Sequence, residues 1–99
     1  MAYESKFKRK EIDQLFQAIL SLETEEECYR FFEDICTVNE LNSIAQRLHV
    51  AKLLSDKKTY SDIEEETKAS TATISRINKC LVYGADGYRI VLERLKDKE

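Results

Sequence analysis

The chain has 99 residues, a formal net charge of −3 and no apolar run long enough for a transmembrane helix. Hydrophobic residues make up 42% and charged residues 35%, which is typical of one soluble globular domain. With no proline and only two glycines, the chain lacks turn formers that a β-sandwich or barrel needs, so an all-α fold is expected. An odd number of cysteines without a secretory signal favours a reducing compartment, and we expect a cytoplasmic protein with no metal or other cofactor.

Apolar residues at helical spacing predict six helices and no strands. The first helix is expected from about Ser5 to Leu22. Capping-box sequences then predict where the next three helices begin, because a threonine side chain can accept a hydrogen bond from the backbone three residues later. These sequences are Thr24-Glu25-Glu26-Glu27, Thr37-Val38-Asn39-Glu40 and Thr59-Tyr60-Ser61-Asp62. Apolar residues on more than one stripe of the third helix predict burial on two of its sides.

The last three helices are predicted to end near Thr67, to cover 71–83 and to cover 88–96. Gly84 suits the left-handed position that follows a helix end. We therefore expect one helical domain over 1–99. Within it, 1–56 supplies dimerisation helices, 59–83 a helix-turn-helix and 88–96 a C-terminal packing helix. A homodimer is expected because a short chain buries only a modest core, while the first three helices each present a broad apolar face.

Residues 59–83 have helix-turn-helix proportions, with a three-residue turn between two short helices. The spacing places five residues at the inward-facing positions of that motif: Ile63, Thr67, Ala69, Ile74 and Ile77. Two positions depart from the general pattern, because Glu64 stands where a small residue is usual and Lys68 where glycine is usual. An ordinary pair of bundle helices is the alternative interpretation.

The second helix of this motif has the composition of a DNA-reading helix. No acidic residue occurs between Glu66 and Asp86, which would keep this surface clear for phosphates. Small and hydroxylated residues allow close approach to base edges, and lysine and arginine reach phosphate or guanine. The predicted DNA contacts are Lys58, Lys68, Thr71, Ala72, Thr73, Ser75, Arg76 and Lys79.

The stretch ELNSIAQRLHVAKLLSDKKTYSDIEEETKASTATISRINKCL resembles the core of the Trp repressor family, and most closely its TrpR-related YerC/YecD group. The segment ATISR and the earlier QRL carry the most specific part of the resemblance. The resemblance implies a six-helix, interlocked homodimer that presents two helix-turn-helix heads to successive major grooves of a palindromic operator. It covers the helix order over nearly the whole chain.

The resemblance also implies a ligand pocket in which the indole ring of tryptophan lies between two arginines. Arg47 and Arg76 match those arginines, and Thr37 matches another pocket residue. Two positions depart: Ile77 replaces the glycine that makes room for the ligand, and Cys80 replaces a serine that helps to hold the amino group. We therefore expect that tryptophan is not the effector, and whether any small molecule is one stays open. For the arginines, phosphate contact and a surface ion pair are the alternative.

The sequence thus predicts a cytoplasmic, homodimeric, sequence-specific DNA-binding regulator, repressor-like and not an enzyme. Catalysis needs convergent polar groups in a pocket, whereas the only histidine, His49, is expected to be a partly exposed helix residue. A helical protein-interaction adaptor that has lost DNA binding is the alternative. Salt dependence separates the two, because only the regulator should bind DNA with a steep salt slope.

Overall fold

A computed structural model describes residues 3–98, and these residues form six α-helices and no strand, which confirms the all-α prediction. The predicted domain also includes residues 1, 2 and 99, which lie outside the described range. The helices are α1 Lys10–Leu20, α2 Glu25–Ile35, α3 Val38–Ser55, α4 Tyr60–Thr67, α5 Thr71–Tyr83 and α6 Gly87–Lys96. Within the described part of the chain, no helix is both long and apolar enough to span a membrane.

The first helix begins later than predicted, at Lys10 instead of Ser5, and it ends at Leu20. Residues 6–9 read Lys-Phe-Lys-Arg, and positive side chains are disfavoured at the positive end of the helix dipole. The helix starts where acidic residues become available to its first turn. Ser5 instead closes a short turn, in which its Oγ accepts a hydrogen bond from the backbone N–H of Phe7 at 3.0 Å.

The predicted starts of α2, α3 and α4 are confirmed. Thr24 Oγ1 accepts a hydrogen bond from the backbone N–H of Glu27 at 3.1 Å, and Thr59 Oγ1 accepts one from Asp62 at 3.1 Å. α3 begins directly after Thr37. The side chains of Thr24 and Thr59 satisfy backbone N–H groups that have no partner inside their own helix.

The described residues form two compact units, which divide between Val38 and Asn39. In the first unit, neither α1 nor α2 contains a buried residue. Large apolar side chains lie on the surface there, and Leu20 is 83% exposed. The first unit therefore presents apolar surface that its own helices do not cover.

The second unit contains the hydrophobic core, which α3, α4, α5 and α6 build together. Its buried residues are Val50, Ala51, Leu53, Ile63, Ala69, Ile74, Ile77 and Leu92. On α3 the buried residues lie only in the C-terminal half, while Ile44 in the N-terminal half is 47% exposed. Among the described residues of a single chain, the N-terminal half of α3 contains no buried residue, so burial of this half on two sides stays a prediction.

Three non-glycine residues take the left-handed conformation, namely Lys57, Lys68 and Asp86. The prediction that Gly84 does so is wrong, because its φ is −84° and its ψ is −158°. Gly84 matters for a different reason. A Cβ atom at this position would collide with the backbone carbonyl oxygen of Cys80, so only glycine fits so close to the end of α5.

Candidate nucleic-acid interface

The turn between α4 and α5 is held by backbone and side-chain hydrogen bonds. α4 ends at Thr67, and Lys68 caps it: Lys68 has a left-handed φ of 63° and ψ of 13°, and its N–H donates to the carbonyl oxygen of Glu64 at 2.9 Å. Ser70 then caps α5, because its Oγ accepts a hydrogen bond from the backbone N–H of Thr73 at 3.1 Å. Only three residues, 68–70, therefore separate the two helices.

The residues predicted to face inward at this turn do so. Ile63 and Ile74 are fully buried, and Ala69 and Ile77 are also buried. Thr67 is partly buried, and its Oγ1 donates to the carbonyl oxygen of Ile63 at 2.7 Å and accepts from the N–H of Ala69 at 3.1 Å. The apolar contacts and this hydroxyl fix the crossing of α4 and α5.

Two polar contacts attach α4 to α3. Gln46 Nε2 donates a hydrogen bond to the carbonyl oxygen of Thr67 at 3.1 Å, which satisfies a group left open at the end of α4. His49 Nε2 lies 2.9 Å from Glu66 Oε2, and both side chains are about half exposed. The sequence did not reveal Gln46 as a supporting residue, because its partner is twenty-one positions away.

One side of α5 faces solvent, and most of the predicted DNA contacts lie on it. Five of the contact residues predicted on α5 are exposed, and Thr73 is partly buried. Lys58, before α4, and Lys68, in the turn, are also exposed. The exposed residues of this face are Thr71, Ala72, Ser75, Arg76 and Lys79.

Hydroxyl groups at the beginning of α5 have specific partners. Thr71 Oγ1 donates a hydrogen bond to Glu64 Oε1, across the turn. Thr73 Oγ1 lies 3.0 Å from Ser70 Oγ, so these two hydroxyls are hydrogen-bonded to each other. From the sequence, Glu64 was recognised as a departure from the helix-turn-helix pattern, but its contact with Thr71 was not predicted. Its bond to Thr71 depends on how two helices cross, which local sequence does not specify.

Three of the four residues that the resemblance assigned to a ligand pocket line one cleft. Arg47, Arg76 and Cys80 border a cleft of about 420 Å³ in the second unit. The other lining residues are Ser43, Gln46, Thr73, Ile77 and Tyr88. The fourth predicted residue, Thr37, belongs to the first unit and is exposed there.

Ile77 and Tyr88 in its wall distinguish this cleft from an open indole pocket. Ile77 lies in its wall and is also part of the hydrophobic core, which confirms the inward position predicted for it. Tyr88 is partly buried beside it, and burial raises the pKa of the Tyr88 phenol, with a further rise from Cys80 and an opposing effect of Arg47. Neither arginine forms an ion pair with any residue of the described range 3–98.

These observations define an all-α protein in which a helix-turn-helix presents one solvent-exposed side of its second helix. Comparison with known proteins agrees. The sequence profile of the family described as Trp repressor protein matches residues 10–96. The uncharacterized protein YerC of Bacillus subtilis (strain 168) is 58% identical over 94 residues, which are 95% of this chain and 90% of YerC.

Solved structures share the fold. The TrpR like protein from Eubacterium eligens ATCC 27750 superimposes with a TM-score of 0.88 at 58% identity, over 92% of this chain and 94% of that protein. The structure of a protein from Staphylococcus aureus also superimposes with a TM-score of 0.88, at 52% identity, over 92% of this chain and 91% of the Staphylococcus aureus chain. The chain belongs to the Trp repressor family, as its sequence motifs predicted.

Proposed function

We propose that this protein is a homodimeric transcriptional regulator that reads duplex DNA with α5 in the major groove. The observation that carries the proposal is the short α4–α5 turn, which holds two helices on a shared apolar core while one side of α5 faces solvent. An α-helix presented in this way fits the width of the major groove. Membership of the Trp repressor family supports the same function.

The charges around the exposed face of α5 favour a polyanion. Residues 67–85 contain no aspartate or glutamate, although the chain as a whole has a net charge of −3. Lys58, Lys68 and Lys79 are exposed and suit phosphate contacts, which supply affinity without reading sequence. Thr71, Thr73 and neighbouring small residues suit base contacts, which supply specificity.

A second copy of the chain is the proposed cover for the apolar surface that one chain leaves open. α1 and α2 have no buried residue, and the N-terminal half of α3 has none either. In the second unit, a groove of about 590 Å³ is lined by apolar residues that include Ile44, Leu48 and Val91. Two heads related by two-fold symmetry would read a palindromic operator, and binding to chromosomal DNA implies a cytoplasmic location.

Tryptophan is not the proposed effector. Ile77 places a branched side chain, which the core holds in place, in the wall of the cleft that Arg47 and Arg76 also line. A glycine at this position would leave more room for an indole ring than Ile77 does, and a well-packed core resists moving a buried side chain aside. The two arginines remain available for phosphate contacts instead.

Two variants of α5 test the proposed DNA binding. Thr73→Ala should change the preference at one base pair by about 1–3 kcal/mol and leave nonspecific binding nearly intact. Lys79→Ala should weaken binding to every duplex and lower the salt slope by about one. Titrations of a selected site and a scrambled site at several salt concentrations measure both effects. Lys98→Ala, which removes an exposed charge beyond α6, is the control.

The same titrations test the adaptor alternative. An adaptor would show weak association with both duplexes and no steep decrease of affinity with salt. If both α5 variants bind as the wild-type protein does, α5 is not the reading helix and the proposed function is wrong.

A further inference from the structure

Glu64 is an unusual side chain to find beside a DNA-reading helix, since a carboxylate repels phosphate. Its side chain is only partly exposed, and its Oε1 accepts the hydrogen bond that Thr71 Oγ1 donates. Thr71 is the first residue of α5 and is exposed. The acidic residue therefore contacts a side chain that the proposed function assigns to the base edges.

This contact decides what Thr71 can recognise. A threonine hydroxyl has one proton to donate and two lone pairs that accept. An ionised carboxylate only accepts, so the proton of Thr71 is committed to Glu64 and only acceptor capacity remains for DNA. Phosphate oxygens also only accept, so Thr71 in this state cannot hydrogen-bond to the DNA backbone.

The donors that duplex DNA presents in the major groove are the exocyclic amino groups of adenine (N6) and cytosine (N4). Guanine presents only acceptors there, and thymine presents an acceptor and a methyl group. The second oxygen of Glu64 is an acceptor as well, so the pair offers DNA no donor. We infer that Glu64 fixes the hydrogen-bond polarity of Thr71, so that Thr71 recognises adenine or cytosine by its exocyclic amino group. This inference rests on the proposed function.

Thr73 provides an internal contrast. Its hydroxyl lies 3.0 Å from that of Ser70, and a hydroxyl partner can either donate or accept. The polarity of Thr73 is therefore free to adapt to the base that it meets, whereas that of Thr71 is set. Glu64 is a positioning residue in this scheme, since it acts on specificity through Thr71.

The test is base preference measured with the full-length protein. A binding site is selected from randomised duplexes, and competition titrations then use duplexes that differ at one base pair. The wild-type protein should prefer adenine or cytosine at the Thr71 position by about three- to tenfold, the range of one hydrogen bond. Where that base is adenine, a purine analogue without the 6-amino group should lose the same factor.

Three variants separate polarity from charge. Thr71→Val keeps the shape but removes the hydroxyl, so the preference at this position should disappear. Glu64→Ala frees the Thr71 proton, so guanine or thymine should become acceptable at the same position. Glu65→Ala removes a neighbouring exposed carboxylate and leaves the bond to Thr71 in place, so affinity for all duplexes should change while the preference stays. In the Thr71→Val background, Glu64→Ala should have no effect on preference.

Circular dichroism and thermal unfolding establish that each variant is folded. If Thr71→Val or Glu64→Ala keeps the wild-type preference at every position, the Glu64–Thr71 contact is only structural and the inference is wrong, while the proposed function stands. A wild-type protein that binds all duplexes alike, or none, overturns the proposed function and this inference together.

Discussion

Replacing Lys68 by glycine should stabilise the protein and weaken its binding to DNA. Lys68 has a φ of 63°, in the left-handed region, where a residue with a Cβ atom pays about 1–2 kcal/mol. Glycine has no such cost, but its greater freedom in the unfolded chain offsets about 0.5–1 kcal/mol of the gain. The expected net increase in the free energy of unfolding is about 0.5–1 kcal/mol, which corresponds to a rise in Tm of a few degrees for a chain of this size.

Urea unfolding at fixed protein concentration measures this change, since an assembly of chains makes stability depend on concentration. Lys68→Ala removes the same charge but keeps the left-handed penalty, so it should not raise stability. Both variants should lower the salt slope of DNA binding by about one, because both lose a proposed phosphate contact. If Lys68→Gly is no more stable than Lys68→Ala, the left-handed backbone at this turn carries no strain and the reasoning is wrong.

Three further outcomes are expected. Ile44→Asp should place a charge in the proposed dimer interface, so sedimentation at low micromolar concentration should show monomers. Leu48→Asp should have the same effect, but Leu48 also packs against the core of its own chain, so this variant disturbs the fold as well. A stable wild-type monomer would contradict the dimer. Calorimetry with millimolar L-tryptophan should show no saturable heat, and micromolar binding that Arg76→Ala abolishes would show that Ile77 leaves room for an indole. The raised pKa of Tyr88 favours its neutral form in the folded state. The stabilisation that neutral Tyr88 contributes to the free energy of unfolding should therefore be fully present below about pH 10 and should decrease at higher pH. Tyr88→Phe should remove this decrease when unfolding is measured as a function of pH.

Local sequence was sufficient for most of the secondary structure. The capping threonines Thr24 and Thr59 act on backbone groups three residues away, so their signal is contained in four consecutive residues. The spacing of Ile63, Ala69 and Ile74 was likewise sufficient to predict the inner face of the helix-turn-helix, because helical periodicity fixes which side chains share a face. The first helix was the exception, since its apolar pattern did not show that the basic residues before Lys10 oppose a helix start.

The contacts that shape the candidate reading surface were decided by tertiary structure. Glu64 and Thr71 are seven positions apart on different helices, and Gln46 reaches Thr67 from α3. Such bonds depend on the distance and angle between packed helices, which no local pattern specifies. The sequence determined that a helix-turn-helix forms and which side of α5 is polar; only the packing of α4 on α5 decided that the Thr71 hydroxyl donates a hydrogen bond to Glu64.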